Sequence, residues 1–505
     1  MRVWRSPVLY FGIFLVVAVV LALAAPFIVD WNSYRAELQA YGGKLTGRTV
    51  TIQGPVAVRL FPWPRLTMEQ VSFANPEDVV PEGKVMTAER VEMKLQLAGL
   101  VSGDVQVESI DVVKPVVALL RQRDGAVNWQ LAPQAGSPAG RVLNRVRLDQ
   151  ITFHDGTVLI NDEGLGLAET LTGIEGQMSA PALEGPWKAA GRGQRGDEGF
   201  GFAFGTSELA AGKDTSLSLR VTPDNAGLPM ASFQGASGAA GLAGTIRLEP
   251  RPVAVAGEAG KGDLEGDIRP LVLQAEVTST AHQANFKSIR ISPADPQDQG
   301  TLIEGDALVR FGDTITMVAD FSAPRINLDA IAGAASRSAW RAGGGIAVVN
   351  ILLQHWPKRL KLDASLRALA VTAGGGAADN VRVKIAADRE ALRFTEVRAG
   401  LPGQTQSRFT GIAFPGAAAA ELAGTLSFET PDLRSLATWL WPEAKAALLA
   451  NWTGAHGHLK GEGKVSWTEG RLNLQQLAYE LDGGAGTADI SFRPGTGPGL
   501  HPNAT

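Results

Sequence analysis

The 505 residues carry 47 Lys+Arg against 51 Asp+Glu, a formal charge of −4, and so near a balance argues against nucleic acid as a partner. There is no cysteine, which excludes disulfides, thiolate metal clusters, a cysteine nucleophile and a lipid-modified N-terminal cysteine. With 59 Gly and 28 Pro the chain is globular in composition but full of turns.

Arg2 and Arg5 precede an uncharged apolar run from Val8 to Val29, long enough at about 1.5 Å per residue to cross a bilayer. Positive residues before it and Asp30 after it predict a cytoplasmic N-terminus and export of everything that follows. Ala22-Leu23-Ala24 has the form of a signal cleavage site, but Pro26 would follow the cut and the run continues through Phe27, Ile28 and Val29. The expectation is therefore a retained single-pass anchor.

After the anchor, Trp31, Tyr34, Leu38 and Tyr41 recur at helical offsets, predicting a helix from near Asp30 that lies on the membrane surface or on the first strands. From Thr49 the period becomes two. Val91, Met93, Leu95 and Leu97 alternate with Glu92, Lys94 and Gln96, as in a strand with one wet face. The alternation returns at Leu217, Leu219, Val221; at Ile315, Met317; at Val381, Val383, Ile385; at Leu392, Phe394; at Leu426, Phe428; and at Leu472, Leu474. Gly83, Asp124-Gly125, Asp155-Gly156, Pro223-Asp224-Asn225 and Asp482-Gly483-Gly484 read as the intervening turns.

About 25 to 30 short strands without regular intervening helices predict a mainly β, largely antiparallel sheet built from consecutive hairpins. Ordinary open sheets seldom grow that wide. An elongated, curling sheet or several sheets in series would relieve the difficulty, and a compact sandwich would have to be split into domains. Leu328 to Trp340 reads as an Ala-rich helix. A second helix is expected where Thr430-Pro431 supplies a cap and a first-turn proline ahead of Leu433, Leu436 and Leu440. Gly185 to Gly205 and Pro250 to Gly262 have the composition of softer boundaries.

Chemistry-bearing motifs are scarce. Gly191, Gly193 and Gly196 spell G-x-G-x-x-G, but Gly199-Phe200-Gly201-Phe202 continues as a strand, so no helix N-terminus is there to hold phosphate and a Gly-rich hairpin is expected. The sequence contains no Walker A, H-E-x-x-H, G-x-S-x-G or calcium-loop pattern. Of the six histidines, His154, His282, His355, His456, His458 and His501, His456 and His458 are close enough to share a strand face, and two imidazoles make an incomplete metal site. His154 and Asp155 would point to opposite faces. The chain thus reads as a non-enzyme without cofactor or metal. The alternating stripes fit either a closed core or an open groove in which lipid tails replace a second layer, and periodicity alone does not separate the two.

One ordered series of motifs stands out along the N-terminal third. After the anchor come Asp30-Trp31 and Tyr34, Lys44-Leu45-Thr46-Gly47-Arg48, Ile52 and Gly54, Leu60-Phe61-Pro62 with Pro64, and Asn75-Pro76. Then follow Ala88, Val91, Leu95, Leu100 to Gly103, Ile110, Pro115, Asp124-Gly125 and Asn128-Trp129. In this order and spacing the series resembles the AsmA family of envelope proteins, and looser likeness continues at Gly185-Pro186-Trp187, Leu328-Asp329, Leu401-Pro402-Gly403, Phe409-Thr410-Gly411 and Gly424-Thr425-Leu426. The resemblance implies an inner-membrane anchor and a periplasmic, elongated, curled β-sheet with an apolar groove and a few short helices. It also implies a role in moving phospholipid between inner and outer membranes and in outer-membrane biogenesis, with no catalytic residues. Carried onto this chain, the lipid-contact candidates are Val91, Met93, Leu95, Leu97, Leu217, Leu219, Val221, Val381, Val383, Ile385, Leu426 and Phe428. The expected division is 1–29 anchor, 30–135 the family-like N-terminal region, 136–320 a β-rich middle and 321–505 a β-rich end with short helices. The Gly/Pro tail from Pro494 to Thr505 follows the strand Thr487 to Phe492 directly, where relatives usually continue, so a short member, a truncation or a fragment are the expectations. The competing expectations are a scaffold for outer-membrane protein assembly that binds partner proteins by strand addition, and an exported enzyme acting on envelope polymers.

Overall fold

A computed structural model describes residues 30–60, 62–75, 83–96, 107–129, 148–182, 185–209, 213–225, 227–238, 241–250, 271–294, 301–328, 344–373, 376–416, 420–440, 457–468, 470–492 and 499–501. The expected anchor Val8 to Val29, Leu97, His456, Pro250 to Gly262 beyond its first residue, and Leu328 to Trp340 beyond its first residue lie outside them. Among the described residues no helix is long and apolar enough to cross a membrane. The fold is mainly β, and the chain divides into two compact units, Met1–Leu242 and Ala243–Thr505.

In the first unit Asp30 caps a 3-10 turn, Trp31–Tyr34, its Oδ1 accepting from the Asn32 amide at 3.1 Å. Helix α1 (Arg35–Thr46) follows and stops at Gly47, whose φ of 68° is the left-handed conformation glycine takes most easily. The helix lies on β1 (Val50–Ile52) and the 3-10 turn on β2 (Val56–Arg59). Gln39 Oε1 accepts from the Ile52 amide at 2.8 Å, and Asn32 Oδ1 accepts from the Val56 amide at 3.0 Å. Of the predicted aromatic stripe, Trp31 and Leu38 pack on the core while Tyr34 and Tyr41 are exposed.

The sheet continues through β3 (Arg65–Ala74), β4 (Lys84–Leu95), β5 (Val107–Val113), β6 (Val116–Arg121), β7 (Leu148–Asp162) and β8 (Leu167–Ala180). It goes on through β9 (Lys188–Arg195), β10 (Glu198–Thr206), β11 (Thr215–Pro223) and β12 (Met230–Gly238). Strands β5 and β6, separated by a corner at Lys114-Pro115, both run parallel to β7; from β7 to β12 each pairing is antiparallel. Two turn and boundary expectations are corrected here. Asp155-Gly156 is no turn but a bulge inside β7, where Asp155 takes φ 53° and the register with β8 shifts. Gly185 to Gly205 is no boundary: from Gly191 to Gly205 its glycines sit in the β9–β10 hairpin, as the strand pattern after Gly196 predicts.

The division between units falls within β13 (Gly241–Glu249). The second unit holds β14 (Leu271–Ser279), β15 (Gln283–Pro293), β16 (Leu302–Arg310), β17 (Ile315–Asn327), α2 (Gly344–Gln354) and β18 (Leu360–Ala373). After these come β19 (Gly376–Ala387), β20 (Leu392–Leu401), β21 (Thr405–Phe414), β22 (Glu421–Thr430), α3 (Leu433–Leu440), β23 (Leu459–Thr468), β24 (Arg471–Leu481), β25 (Gly484–Phe492) and β26 (Gly499–His501). Pairing is antiparallel along the ladder except at β17–β18, which run parallel, a connection that requires a crossover. The crossover contains α2, whose largely apolar sequence equally suits a buried strand and escaped the sequence patterning. Asn350 on α2 is buried and accepts from the Gly416 amide at 3.0 Å, and Gln354 donates to the Gly416 carbonyl at 3.0 Å.

Helix α3 forms with its apolar residues Leu436 and Ala437 buried, but its cap is Asp432, whose Oδ1 accepts from the Ser435 amide at 3.1 Å. Thr430 instead ends β22, fully buried, with its hydroxyl donating to the Gly403 carbonyl and accepting from the Asp432 amide. A cap must reach the second or third helical amide, and Thr430 is too far upstream.

Candidate functional site: a one-sided apolar face

Paired residues on neighbouring strands share a face, so the register shows what each face is made of. In the first unit one row runs Met68, Val91, Val112, Phe153, Gly176, Gly191, Phe202, Val221, Ala231, each opposite the next from β3 to β12. The row two residues along runs Leu66, Met93, Ile110, Ile151, Met178, Ala189, Phe204, Leu219, Phe233. No polar side chain interrupts either. On the opposite face Arg65 meets Glu92 at 2.9 Å, Arg90 meets Glu69 at 3.6 Å and Lys94 meets Asp111 at 3.8 Å.

The second unit repeats the division. One row runs Val277, Phe286, Ala307, Ala319, Ala364, Ile385, Phe394, Gly411, Gly424, Val465, Leu474, Ile490 from β14 to β25. A second passes through Phe321, Leu366, Val383, Val397, Phe409 and Leu426. The sequence candidates therefore fall into place on these faces. Val91 and Val221 share one row of the first unit, and Met93 and Leu219 share the next. Leu217 lies opposite Thr206 and Gly235, and Leu95 lies at the end of β4 opposite Val107. In the second unit Ile385 belongs to the first row and Val383 and Leu426 to the second. Val381 stands opposite Ala368, and Phe428 stands between Ser407 and Gly461.

Among the described residues the cover on these faces is partial: in the first unit Met68, Val91, Val112 and Ile151 are buried in a cluster against which Trp31 and Leu38 pack, while other members keep exposed surface. In the second unit Ala307, Ala319, Ala368, Val277 and Val465 are buried, while Ile385, Val383, Phe394 and Leu426 remain half-buried. In the first unit Leu219 is 41% exposed and Phe204 37%, values foreign to a two-layer core.

Two recurring devices shape the apolar face. Aromatic rings lie down over glycines of the neighbouring strand. A Cβ at Gly191 would come within 3.0 Å of Phe202 Cζ, one at Gly193 within 3.1 Å of Phe200 Cζ, and one at Gly461 within 2.9 Å of Phe428 Cζ. Thus the G-x-G-x-x-G glycines are seats for phenylalanines, with Gly196 at φ 59° making the hairpin turn. The second device is a bulge whose left-handed residue donates its amide to a carboxylate on the next strand. Asp155 pairs so with Glu175 at 3.0 Å, Ser288 with Asp306 at 2.9 Å and Gln476 with Asp489 at 2.7 Å. Such bulges bend a strand locally and sharpen its twist.

Several of the ordered sequence motifs meet in one buried clasp beside the first unit's sheet. Asn128, wholly buried, donates from Nδ2 to Asn75 Oδ1 at 3.0 Å and to the Ala118 carbonyl at 2.8 Å, and its Oδ1 accepts from the Leu120 amide at 2.9 Å. Arg48 donates to the carbonyls of Asn128 at 2.9 Å and Ala74 at 3.3 Å, and burial pulls its pKa below the usual arginine range. Arg48, Asn75 and Asn128 therefore fasten the chain around β3 and β6 and stand apart from any reactive group.

His154 Nδ1 lies 3.4 Å from Glu175 and His458 Nε2 3.1 Å from Glu429, two separate exposed pairs. Among the described residues no group of three metal-ligating side chains gathers. The AsmA family model matches residues 5–292, more than half of the chain. No curated protein and no solved structure matches.

Proposed function

The chain belongs to the AsmA family, whose members are generally envelope-associated, and from that premise we propose that it binds phospholipid tails along the apolar sheet faces and passes them between the inner and outer membranes. In this role Val8 to Val29 anchors the N-terminus in the inner membrane and the β units stand in the periplasm, supporting outer-membrane biogenesis. One observation supports the proposal: among the described residues each unit has apolar rows backed by a charged face, and part of these rows, Leu219 and Phe204 in the first unit and Ile385 and Leu426 in the second, keeps accessible surface. Contiguous exposed apolar surface on a water-facing protein calls for an apolar occupant. A tail moving along such rows exchanges one hydrocarbon contact for another, so burial of roughly 0.8 kcal/mol per CH₂ is conserved from step to step while the headgroup stays wet. The protein supplies a path, and direction comes from outside it.

The test is photocrosslinking in cells, with a photoreactive residue placed at Leu95, Leu219 or Ile385 and, as controls, at Lys94, Ser218 or Lys384, followed by mass analysis of adducts. Lipid adducts at the first three and not the second three are expected. Folded, expressed probes that give no lipid at any of the three apolar positions would overturn the proposal in favour of an assembly scaffold.

A further inference from the structure

The polar face of the second unit mostly obeys the rule that opposite charges meet across strands. Arg290 bonds Glu304 at 2.7 Å, and Lys384 meets Glu396 at 3.2 Å. Strands β18 to β21 break it. Arg367 stands directly opposite Arg382, Arg382 opposite Arg398, and Arg398 opposite Arg408. Each lies between two residues of the apolar face on its own strand, so all four project from the polar face, and all four are exposed. At roughly 4.8 Å between strands they form a line of guanidinium groups about 14 Å long.

Like charges placed directly opposite destabilise a sheet, and this row has little local relief. Glu396 bonds Arg398 Nε at 2.7 Å but is shared with Lys384, and the row ends in the uncharged Ser322 and Ser427. Lys384, Arg398 and Arg408 together hold the Glu396 carboxyl below its ordinary range, the signature of a positive local field.

We propose that the row Arg367, Arg382, Arg398, Arg408 is a docking site for an acidic helix of a partner protein. Carboxylates at i, i+3 or i+4 on a helix recur every 5–6 Å or so, close to the strand spacing, so a helix laid across the four strands presents about one carboxylate per arginine. The guanidinium fork suits bidentate carboxylate binding, and arginine, not lysine, occupies every position. Leu369, 67% exposed and two residues from Arg367 along β18, offers an apolar contact on the same face. Fixed, evenly spaced charges favour a ligand of fixed period over fluid lipid headgroups. This site lies on the face opposite the apolar rows and does not rest on the lipid proposal.

The experiment uses the full chain in neutral detergent and a fluorescent, Ala-based helical peptide with Glu at positions 3, 7, 10 and 14, about the spacing of the row, beside a control with Gln at those positions. Anisotropy should show the Glu peptide binding the protein at least about tenfold more tightly than the Gln peptide, with affinity falling as salt rises. The double substitution R382Q/R398Q should lose at least about tenfold in affinity while the thermal unfolding midpoint stays or rises, since repulsion is removed. Absence of wild-type binding at low salt, or equal binding by the variant, overturns the proposal. A lowered midpoint in both R382Q/R398Q and the charge-preserving R382K/R398K also overturns it, by assigning the arginines to the fold. So does arginine-dependent flotation with phosphatidylglycerol vesicles without preference for the Glu peptide, which assigns the row to a membrane.

Discussion

Replacing Asn128 by Ala removes three side-chain hydrogen bonds at once: two from Nδ2, to Asn75 and Ala118, and one received from the Leu120 amide. Buried bonds of this kind contribute about 0.5–1.5 kcal/mol each, and because the Leu120 amide is left without its acceptor the sum lies near the middle or above, at about 3 kcal/mol. Since 1.4 kcal/mol corresponds to a factor of ten, local opening around β6 should rise by roughly 100-fold. With two units in the chain a single global unfolding free energy is poorly defined. Hydrogen exchange read by mass spectrometry is therefore the suitable assay, comparing peptides from β6 with peptides from β21 in the second unit. Acceleration in Val116–Arg121 with β21 unchanged is expected. Asn128→Asp, nearly the same size, should accelerate exchange at least as much, because it sets a carboxylate against Asn75 Oδ1 and the Ala118 carbonyl. Exchange unaltered in β6, or an Asp variant that behaves as wild type, would refute the clasp and leave Asn128 a space-filling residue.

Two further outcomes follow from the sheet. Gly191→Ala puts a Cβ 2.3 Å from the Glu175 carbonyl and 2.8 Å from Gly176 Cα, so a loss of about 1–3 kcal/mol, seen as a lower thermal midpoint, is expected; adding Phe202→Ala should not restore it, because the clash is with backbone. The Asp388 carboxyl is held below its ordinary value first by Arg393, 2.7 Å away, and then by the amides of Glu390 and Ala391, against an opposing effect of burial. Its stabilising effect is therefore present above the ordinary value of 3.8 and fades as pH falls through the lowered one. Asp388→Asn should lower the melting temperature at pH 6 and make little difference near pH 2, and a uniform change at both would contradict the linkage.

The sequence by itself determined what is local. Period-two alternation at Val381, Val383 and Ile385 specified a strand with one apolar face, because side chains on an extended backbone alternate whatever lies next to them. Asp482-Gly483 specified a tight turn, and both residues take positive φ. The ordered motifs from Asp30 to Trp129 carried the family likeness without saying why Arg48, Asn75 and Asn128 matter. Their 53-residue and 80-residue contacts exist only once β3 and β6 are brought together.

Only tertiary structure decided which strands are neighbours, and with them everything that depends on register. The parallel β17–β18 pair, the phenylalanines seated on Gly191 and Gly193, and the alignment of Arg367, Arg382, Arg398 and Arg408 all depend on the register in which strands pair. Whether the apolar stripe is closed or open is likewise a matter of what stacks on it, and alternation within one strand carries no record of a second layer. Leu219 and Ile385 have the same local pattern as core residues of a sandwich, and what distinguishes them is the exposure their surroundings leave, 41% for Leu219 and half-burial for Ile385.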